Sequence, residues 1–266
     1  MASGAGVWCR LVVQVSPPPQ RIVSLVPSTT QSICAFGAAT RLVGRTRYCT
    51  EPGFEVASVP TIGGTKNPRL DAILALDPDL VIGNAEENRA VDLEHLAARV
   101  PTLVQTPRTV REAALELRAL ATRLETLHVA ETWLQELGER IAAVEVAARG
   151  EARRSVYYAI WRKPWMTVNE DTFVHDVLSL CGGRSVAADQ QDRYPVMAPD
   201  EAVSCGVDLV LLASEPWEFD AAQRDEVVAA GCFGDATVRL CDGRDFCWHG
   251  VHMAEGLGRA LAALQR

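Results

Sequence analysis

One long amphipathic segment constrains the fold of this chain more than any other feature. Between residues 127 and 149, apolar side chains recur at alternating intervals of three and four, and polar side chains fill the other faces. This spacing predicts a single α-helix with one apolar stripe, roughly 35 Å long at 1.5 Å per residue. The stripe consists of Leu127, Ala130, Leu134, Leu137, Ile141, Val144 and Ala148.

The sequences on the two sides of this helix resemble each other. Each side has a helix predicted to begin at a proline, Pro68 or Pro199, then a short turn, a strand that starts Asp-Leu-Val and a polar loop. Asp79 and Asp208 lie 129 positions apart (208 − 79). We therefore predict that the helix joins two lobes; the alternative is an ordinary long helix packed on a single sheet. The predicted segments are a leader at 1–20, an N-terminal lobe at 21–126, the connecting helix at 127–150 and a C-terminal lobe at 151–266.

Apolar strands that alternate with helices define the predicted fold class. The segments after Arg21, Asp79 and Asp208 are apolar on both faces, which is typical of parallel strands covered by helices on both sides. We predict an α/β protein of two Rossmann-like lobes with mostly parallel sheets. In such sheets ligands bind beyond the carboxyl ends of the strands, so the loops that follow the strands are the candidate ligand-binding segments. The predicted loops are at residues 27–30, 84–89, 161–165 and 214–217.

Composition and charge exclude several classes of function. The chain has 266 residues and a net charge of −8, without a run of Lys or Arg, so we expect no nucleic-acid partner. No apolar run reaches the length of a membrane span. The eight cysteines are scattered and form no CxxC pair, which argues against a zinc ribbon or a thioredoxin-like motif.

The first twenty residues bear on the location of the protein. They have no basic start and no apolar core of about 7–15 residues followed by a cleavage site of small residues. The sequence as it stands therefore predicts a cytoplasmic protein, unless its export signal lies outside this sequence.

Several short motifs, taken together, resemble a known family. These are residues 21–28 (Arg-Ile-Val-Ser-Leu-Val-Pro-Ser), Leu-Val-Gly at 42–44, Leu-Asp-Pro-Asp-Leu-Val-Ile at 76–82, Cys-Gly-Gly at 181–183 and Tyr194-Pro195 ahead of Asp200-Glu201. Their order and spacing resemble the solute-binding proteins of ABC importers for cobalamin, iron-siderophores and haem, whose two lobes are joined by one rigid backbone helix. The cobalamin-type members are the most similar.

The resemblance implies a ligand cleft between two α/β lobes, little hinge motion and a monomer that delivers its ligand to an importer permease. It implies no resident cofactor and no catalytic activity; the ligand would be cobalamin or another metal chelate. It also implies one acidic docking residue on each lobe, for which Asp71 and Glu201 are the candidates, each in the helix that begins near a proline. The alternative role for both carboxylates is a favourable contact with the helix dipole in the first turn.

Aromatic and polar residues in loops or at strand ends are the candidate ligand contacts. Aromatic rings there suit a large, flat, partly apolar ligand, while amide and guanidinium groups suit its polar edges. The alternative is that the rings close the core and that the polar groups cap helices. The candidates are Tyr48, Asn84, Arg89, Trp161, Arg162, Trp165, Tyr194, Trp217, Trp248 and His249, of which Tyr48 and Tyr194 match ligand-contacting positions in the cobalamin-type members.

His249 and His252 suggest a metal site, but a helix start with a capping histidine is the favoured interpretation, and we predict no metal site. A single axial contact from His249 to a metal carried by the ligand stays open.

Three classes of function remain. The first is a binding module that captures a metal chelate for an importer, the second is a cytoplasmic carrier or sensor with the same fold, and the third is a metal or tetrapyrrole enzyme. The enzyme would need a cluster of cysteines or metal ligands, which the sequence does not show.

Overall fold

The computed structural model describes residues 17–150 and 152–265. Within these residues the chain divides into two compact units. The first unit comprises the described residues up to Pro107 together with Ala114–Leu134, and the second comprises Arg108–Ala113 and the described residues from Gln135 onward. The predicted leader lies largely outside the described residues.

The first unit contains a parallel sheet of four strands in the order β2-β1-β3-β4. Both central strands are buried along their whole length, as their apolar sequences predict. The strands are β1 (Ile22–Ser24), β2 (Leu42–Arg45), β3 (Leu80–Asn84) and β4 (Thr102–Gln105).

The second unit contains a parallel sheet of four strands in the order β10-β9-β5-β8 and a short antiparallel hairpin, β6-β7. The two four-stranded sheets have the same topology. When the strands of each sheet are numbered in chain order, their order across the sheet is second, first, third, fourth. The strands are β5 (Arg154–Ala159), β6 (Trp161–Arg162), β7 (Trp165–Met166), β8 (Gly183–Ser185), β9 (Leu209–Ala213) and β10 (Thr237–Cys241). The predicted two-lobe α/β class with parallel sheets is confirmed.

Helices connect the strands of both sheets, as parallel pairing requires. In the first part of the chain they are α1 (Pro27–Ala35), α2 (Gly53–Val56), α3 (Leu70–Ala75), α4 (Ala90–Ala97), α5 (Val110–Arg123) and α6 (Leu127–Ala148), with a 3₁₀ turn at Ala39–Arg41. In the second part they are α7 (Phe173–Leu180), α8 (Pro199–Ser204), α9 (Ala221–Ala229), α10 (Arg244–Cys247) and α11 (Met253–Leu264). None of the helices in the described part of the chain is both long and apolar enough to span a membrane.

The long predicted helix is α6, and its apolar stripe is the face that is buried. Ala130, Leu137, Ile141 and Val144 are each less than a tenth exposed, whereas the intervening charged residues are mostly exposed. The boundary between the two units falls within α6, after Leu134, and a second boundary falls within α5, after Ala113.

The internal repeat predicted from the sequence is present in the backbone. Helix α3, the turn after it and strand β3 match α8, its turn and β9 at a constant offset of 129 positions (199 − 70 and 209 − 80). The turns contain Asp77 and Gly206, both with positive φ, at 48° and 73°. The amide of Arg21 donates to the Asp79 carboxylate at 2.9 Å, and the amide of Ser155 donates to the Asp208 carboxylate at 2.8 Å.

Two local predictions were wrong. Helix α3 begins at Leu70 rather than at Pro68, because Pro68 forms an isolated bridge with Gly63 and the amide of Arg69 donates to the carbonyl of Ile62 at 2.7 Å. Residues 161–165 were expected to form a loop, but Arg162 pairs with Trp165 in the β6-β7 hairpin. Strands β4, β8 and β10 were not predicted at all.

Candidate functional site

The candidate site residues of the first unit follow the carboxyl ends of β2 and β3. Asn84 is buried, and its side-chain oxygen accepts the amides of Glu86 at 2.7 Å and Glu87 at 3.2 Å. Asn88, also buried, accepts the amide of Asn84 at 2.8 Å and donates to the carbonyl of Thr65 at 2.9 Å. These bonds give Asn84 the structural role of holding a tight turn, which was the alternative to ligand contact.

Arg89 has a partner within its own helix start. Its guanidinium forms two hydrogen bonds of 2.7 Å with the carboxylate of Asp92, which is buried, and these bonds raise the pKa of Arg89. A bidentate pair of this kind fixes the guanidinium plane. Ligand contact by Arg89 stays a prediction. A ligand would have to bind the guanidinium while it is paired with Asp92.

Tyr48 is the most exposed of the candidate aromatic residues, with 56% of its surface accessible. The guanidinium carbon of Arg47 lies 5.9 Å from the centre of its ring. Gly64 has no side chain, which allows the ring of Tyr48 to lie close to the backbone there. A Cβ atom at Gly64 would lie 3.3 Å from this ring. The ring is therefore supported on one side and accessible on the other.

In the second unit the β6-β7 hairpin divides its aromatic residues between surface and core. Trp161 is 37% exposed and meets Trp217 edge to face at 4.8 Å between ring centres. The indole nitrogen of Trp217 is buried and has no hydrogen-bond partner among the described residues. Trp161 is therefore an accessible ring beside a partly buried one, at the end of the sheet where β5 and β9 finish.

Trp165, in contrast, packs on the core of its unit. Its ring stacks on Phe219 at 5.8 Å and meets Phe233 at 5.4 Å and Tyr157 at 6.3 Å. Arg162 lies over the Trp165 ring at 5.9 Å and forms an ion pair of 2.9 Å with Glu226. The structure thus gives both residues structural partners, and their contact with a ligand stays a prediction.

Trp248 and His249 are both buried. The Trp248 indole donates to Glu215 at 3.2 Å, and the guanidinium carbon of Arg244 lies 5.8 Å from the ring centre. Burial lowers the pKa of His249 to about 4, so its imidazole is neutral at pH 7. Phe173 covers the imidazole at 6.2 Å between ring centres, and the burial of this side chain disfavours an axial contact with a metal.

Tyr194 lies apart from these rings in the segment before α8. Its ring is 37% exposed, and the guanidinium carbon of Arg193 lies 5.7 Å from the ring centre. It remains a candidate contact on grounds of exposure.

A polar cluster after β9 and β10 was missed by sequence reasoning. Burial raises the pKa of Glu215, although hydrogen bonds from Trp248 and Cys247 oppose the shift. The Asp242 carboxylate binds Arg244 at 2.6 Å, and the amide of Gly243 donates to the hydroxyl of Ser214 at 3.0 Å. Recognition of β10 as a strand would have placed this cluster at the end of the sheet where ligands bind.

His252 is held in a separate buried network. Its Nε2 lies 2.9 Å from the carboxylate of Asp245, which also accepts from Arg259 at 2.7 Å. Burial acts to raise the pKa of Asp245, but these hydrogen bonds outweigh it and hold the pKa below its usual range. Within the part of the chain that the structure describes, no group of three or more His, Cys, Asp and Glu residues could hold a metal ion.

The two predicted docking carboxylates occupy different positions in their helices. Asp71 is the second residue of α3 and is exposed, whereas Glu201 is the third residue of α8, and its carboxylate accepts the amide of Ala198 at 2.6 Å. Asp200 is the true counterpart of Asp71, because it lies at the repeat offset of 129 (200 − 71) and is exposed.

Comparison with known proteins defines the class to which these features belong. Two solved structures superpose with TM-scores of 0.78: a periplasmic heme-binding protein, RhuT, from Roseiflexus sp. RS-1 at 22% identity, and a periplasmic vitamin B12 binding protein, BtuF, of Vibrio cholerae at 19%. They cover 92% and 93% of this chain and 97% of their own chains. The fold is therefore that of two-lobed periplasmic solute-binding proteins.

Sequence comparison identifies the family. The profile described as "Periplasmic binding protein" matches residues 22–230, and the chain belongs to this family of solute-binding proteins. Vitamin B12-binding proteins of Salmonella typhi and of Pectobacterium carotovorum subsp. carotovorum (strain PC1) are 28% and 24% identical to it over 203 and 208 residues. These matches cover 75% and 77% of this chain and 74% and 75% of the relatives.

The expected cytoplasmic location is wrong. The family, and the two solved structures that share the fold, are periplasmic binding proteins. The pattern at the first twenty residues was a poor guide because it is a local signal, whereas family membership rests on most of the chain.

Proposed function

We propose that this protein captures a cobalamin-type corrinoid and delivers it to the permease of an ABC importer, acting as a binding protein without catalytic activity. The observation that carries the proposal is the accessible ring of Trp161, which meets the partly buried Trp217 edge to face. Flat rings of this kind bury the apolar face of a macrocycle. The vitamin B12-binding relatives support the same ligand class.

Parallel titrations with cobalamin, haem and a ferric siderophore test the identity of the ligand. Binding to the purified protein would be followed by quenching of tryptophan fluorescence. Absorbance spectra would then identify the bound ligand, because cobalamin and haem have distinct visible spectra. We expect saturable binding of cobalamin with a stoichiometry of one. Saturable binding of haem or of the siderophore, with none of cobalamin, would overturn the proposed ligand but keep the binding role.

The contact with the permease would use one carboxylate on each unit. We propose Asp71 on the first unit and Asp200 on the second, since they are exposed and occupy equivalent places in the repeat. Glu201, which the sequence suggested, engages the amide of Ala198 and is less available for a partner. Charges of this kind orient a partner and speed encounter more than they add affinity.

Two double charge reversals separate these assignments. Asp71→Lys with Asp200→Lys should keep cobalamin affinity but lose stimulation of the ATPase activity of the reconstituted permease. Asp71→Lys with Glu201→Lys serves as the matched control, with the same change of charge. A greater loss of stimulation in the control would return the role to Glu201, and normal stimulation in both would remove these carboxylates from the interface.

A further inference from the structure

A small cationic cavity lies at the amino end of the sheet of the second unit, the end opposite to the loops that follow the strands. The cavity has a volume of about 180 Å³, and Arg153, Arg154 and Arg184 contribute to its wall. It also includes Ser155 and the exposed Cys205 at the end of α8. None of the described residues that line it carries a carboxylate, although the chain as a whole has a net charge of −8.

The pairing of β5 with β8 explains why these groups meet. Ser155 is in register with Arg184, and side chains in register on neighbouring strands leave the same face of a sheet. Arg153 precedes Ser155 by two residues, which is the period of side chains on one face of an extended chain. The register therefore places Arg184 beside Ser155, and both line the cavity together with Arg153.

The three arginines differ in whether other groups of the protein pair with their guanidinium groups. Arg154 donates to the carbonyl of Leu264 at 2.9 Å, and Arg184 pairs with the exposed Asp189 at 2.8 Å. Arg153 is exposed and has no ion-pair or hydrogen-bond partner within the described residues. Among the described residues, Arg153 therefore contributes positive charge to the cavity without a paired carboxylate.

His175 lies within the electrostatic reach of the same arginines. Burial lowers the pKa of His175, and the charges of Arg184 and Arg153 act in the same direction, against Glu170 and Asp176. The Nε2 atom of His175 is buried without a hydrogen-bond partner among the described residues.

We propose that this cavity is an anion site that binds a phosphate-type oxyanion. Guanidinium groups present two parallel N–H donors that match the spacing of phosphate oxygens, and the Ser155 hydroxyl in the same cavity supplies a second kind of donor. A tetrahedral oxyanion would contact Arg153 and Arg184 at the same time and replace Asp189 as the partner of Arg184. The site is independent of the corrinoid site, which lies at the other end of the strands.

Isothermal titration calorimetry of the full chain with inorganic phosphate at low ionic strength tests the site. We expect saturable binding of one phosphate that is at least tenfold weaker in Arg184→Gln and undetectable in Arg153→Gln with Arg184→Gln. Arg224→Gln is the matched control, since Arg224 is also paired with a neighbouring carboxylate, that of Asp225, and should bind phosphate normally. Asp189→Asn should bind several times more tightly, because it frees Arg184.

Further measurements separate the sources of the oxyanion and protect the test against misfolding. Circular dichroism would confirm that each variant is folded, and cobalamin affinity should stay unchanged in all of them. Vesicles of phosphatidylcholine alone and of equal parts phosphatidylcholine and phosphatidylglycerol would be compared by co-sedimentation. Phosphate binding with or without vesicle binding supports the site. The absence of saturable phosphate binding, or equal binding by the double variant, would overturn it, even if the anionic vesicles bind.

Discussion

Trp161 and Trp165 lie four positions apart in one hairpin but should respond to truncation in opposite ways. Trp165 contacts three aromatic rings of the core, whereas Trp161 contacts Trp217 and donates its indole N–H to the carbonyl of Lys163 at 3.1 Å. Comparison of Trp165→Ala with Trp161→Ala therefore separates the stability of the second unit from its capacity to bind ligand.

The expected magnitudes follow from burial. Full burial of a tryptophan removes about 150–250 Å² from water, worth roughly 4–6 kcal/mol at about 25 cal/mol per Å². Trp165 is only partly buried, so we expect Trp165→Ala to lower the free energy of unfolding by about 3 kcal/mol. Trp161 is 37% exposed and has fewer neighbours, so its truncation should cost about 1 kcal/mol.

Affinity should follow the reverse order. Loss of an aromatic ring that contacts the ligand often costs about 2 kcal/mol, so Trp161→Ala should weaken cobalamin binding by roughly thirtyfold. Because Trp165 packs on the core, Trp165→Ala should retain nearly normal affinity under conditions in which it is folded, and this result would remove Trp165 from the candidate ligand contacts. Urea denaturation followed by circular dichroism measures stability, and fluorescence titration measures affinity. A stable Trp165→Ala protein that no longer binds, beside a Trp161→Ala protein that binds normally, would refute this reasoning.

Three further changes test the described contacts. Asp245→Asn should lower the free energy of unfolding by about 2–3 kcal/mol at pH 7 in urea denaturation, because it weakens the buried contact with His252. The folded-state pKa of Asp245 is depressed, so the extra stability of the wild-type protein is present above the unfolded-state pKa. That extra stability is lost as the pH falls through the folded-state pKa. Gly243→Ala should reduce the melting temperature, because its Cβ would lie 2.8–3.0 Å from atoms of Glu215; an unchanged melting temperature would contradict this contact. Gly138→Ala should stabilise α6 by about 0.5–1 kcal/mol, measured by the same denaturation, since its Cβ would meet nothing within 4 Å.

Much of the fold could be predicted from local patterns. The stripe on α6 and the apolar strands after Arg21, Asp79 and Asp208 correspond to observed elements, because the burial of one helix face or of both faces of a strand leaves a periodic signature. The short strands β4, β8 and β10 were not recognised. They have three to five residues each, too few for a periodicity to stand out, and pairing with neighbours defines them as strands.

The candidate site was less predictable. Both Trp161 and Trp165 are aromatic residues at the end of a strand, and no local feature shows that one faces solvent while the other packs on Phe219 and Phe233. Arg162 has the local sequence of an accessible cation, yet it pairs with Glu226 from a distant helix. The partner of each side chain is set by packing between segments that are far apart in sequence.

The sequence by itself determined the α/β class, the long helix and the internal repeat, since each of these depends on spacing along the chain. Only the tertiary structure showed that the carboxylate of Glu201 accepts the amide of Ala198, because this contact depends on where α8 begins. It also decided that Ser155 and Arg184 line one cavity, since their proximity depends on the register of β5 against β8. Register is a property of two strands together, and neither strand encodes it alone.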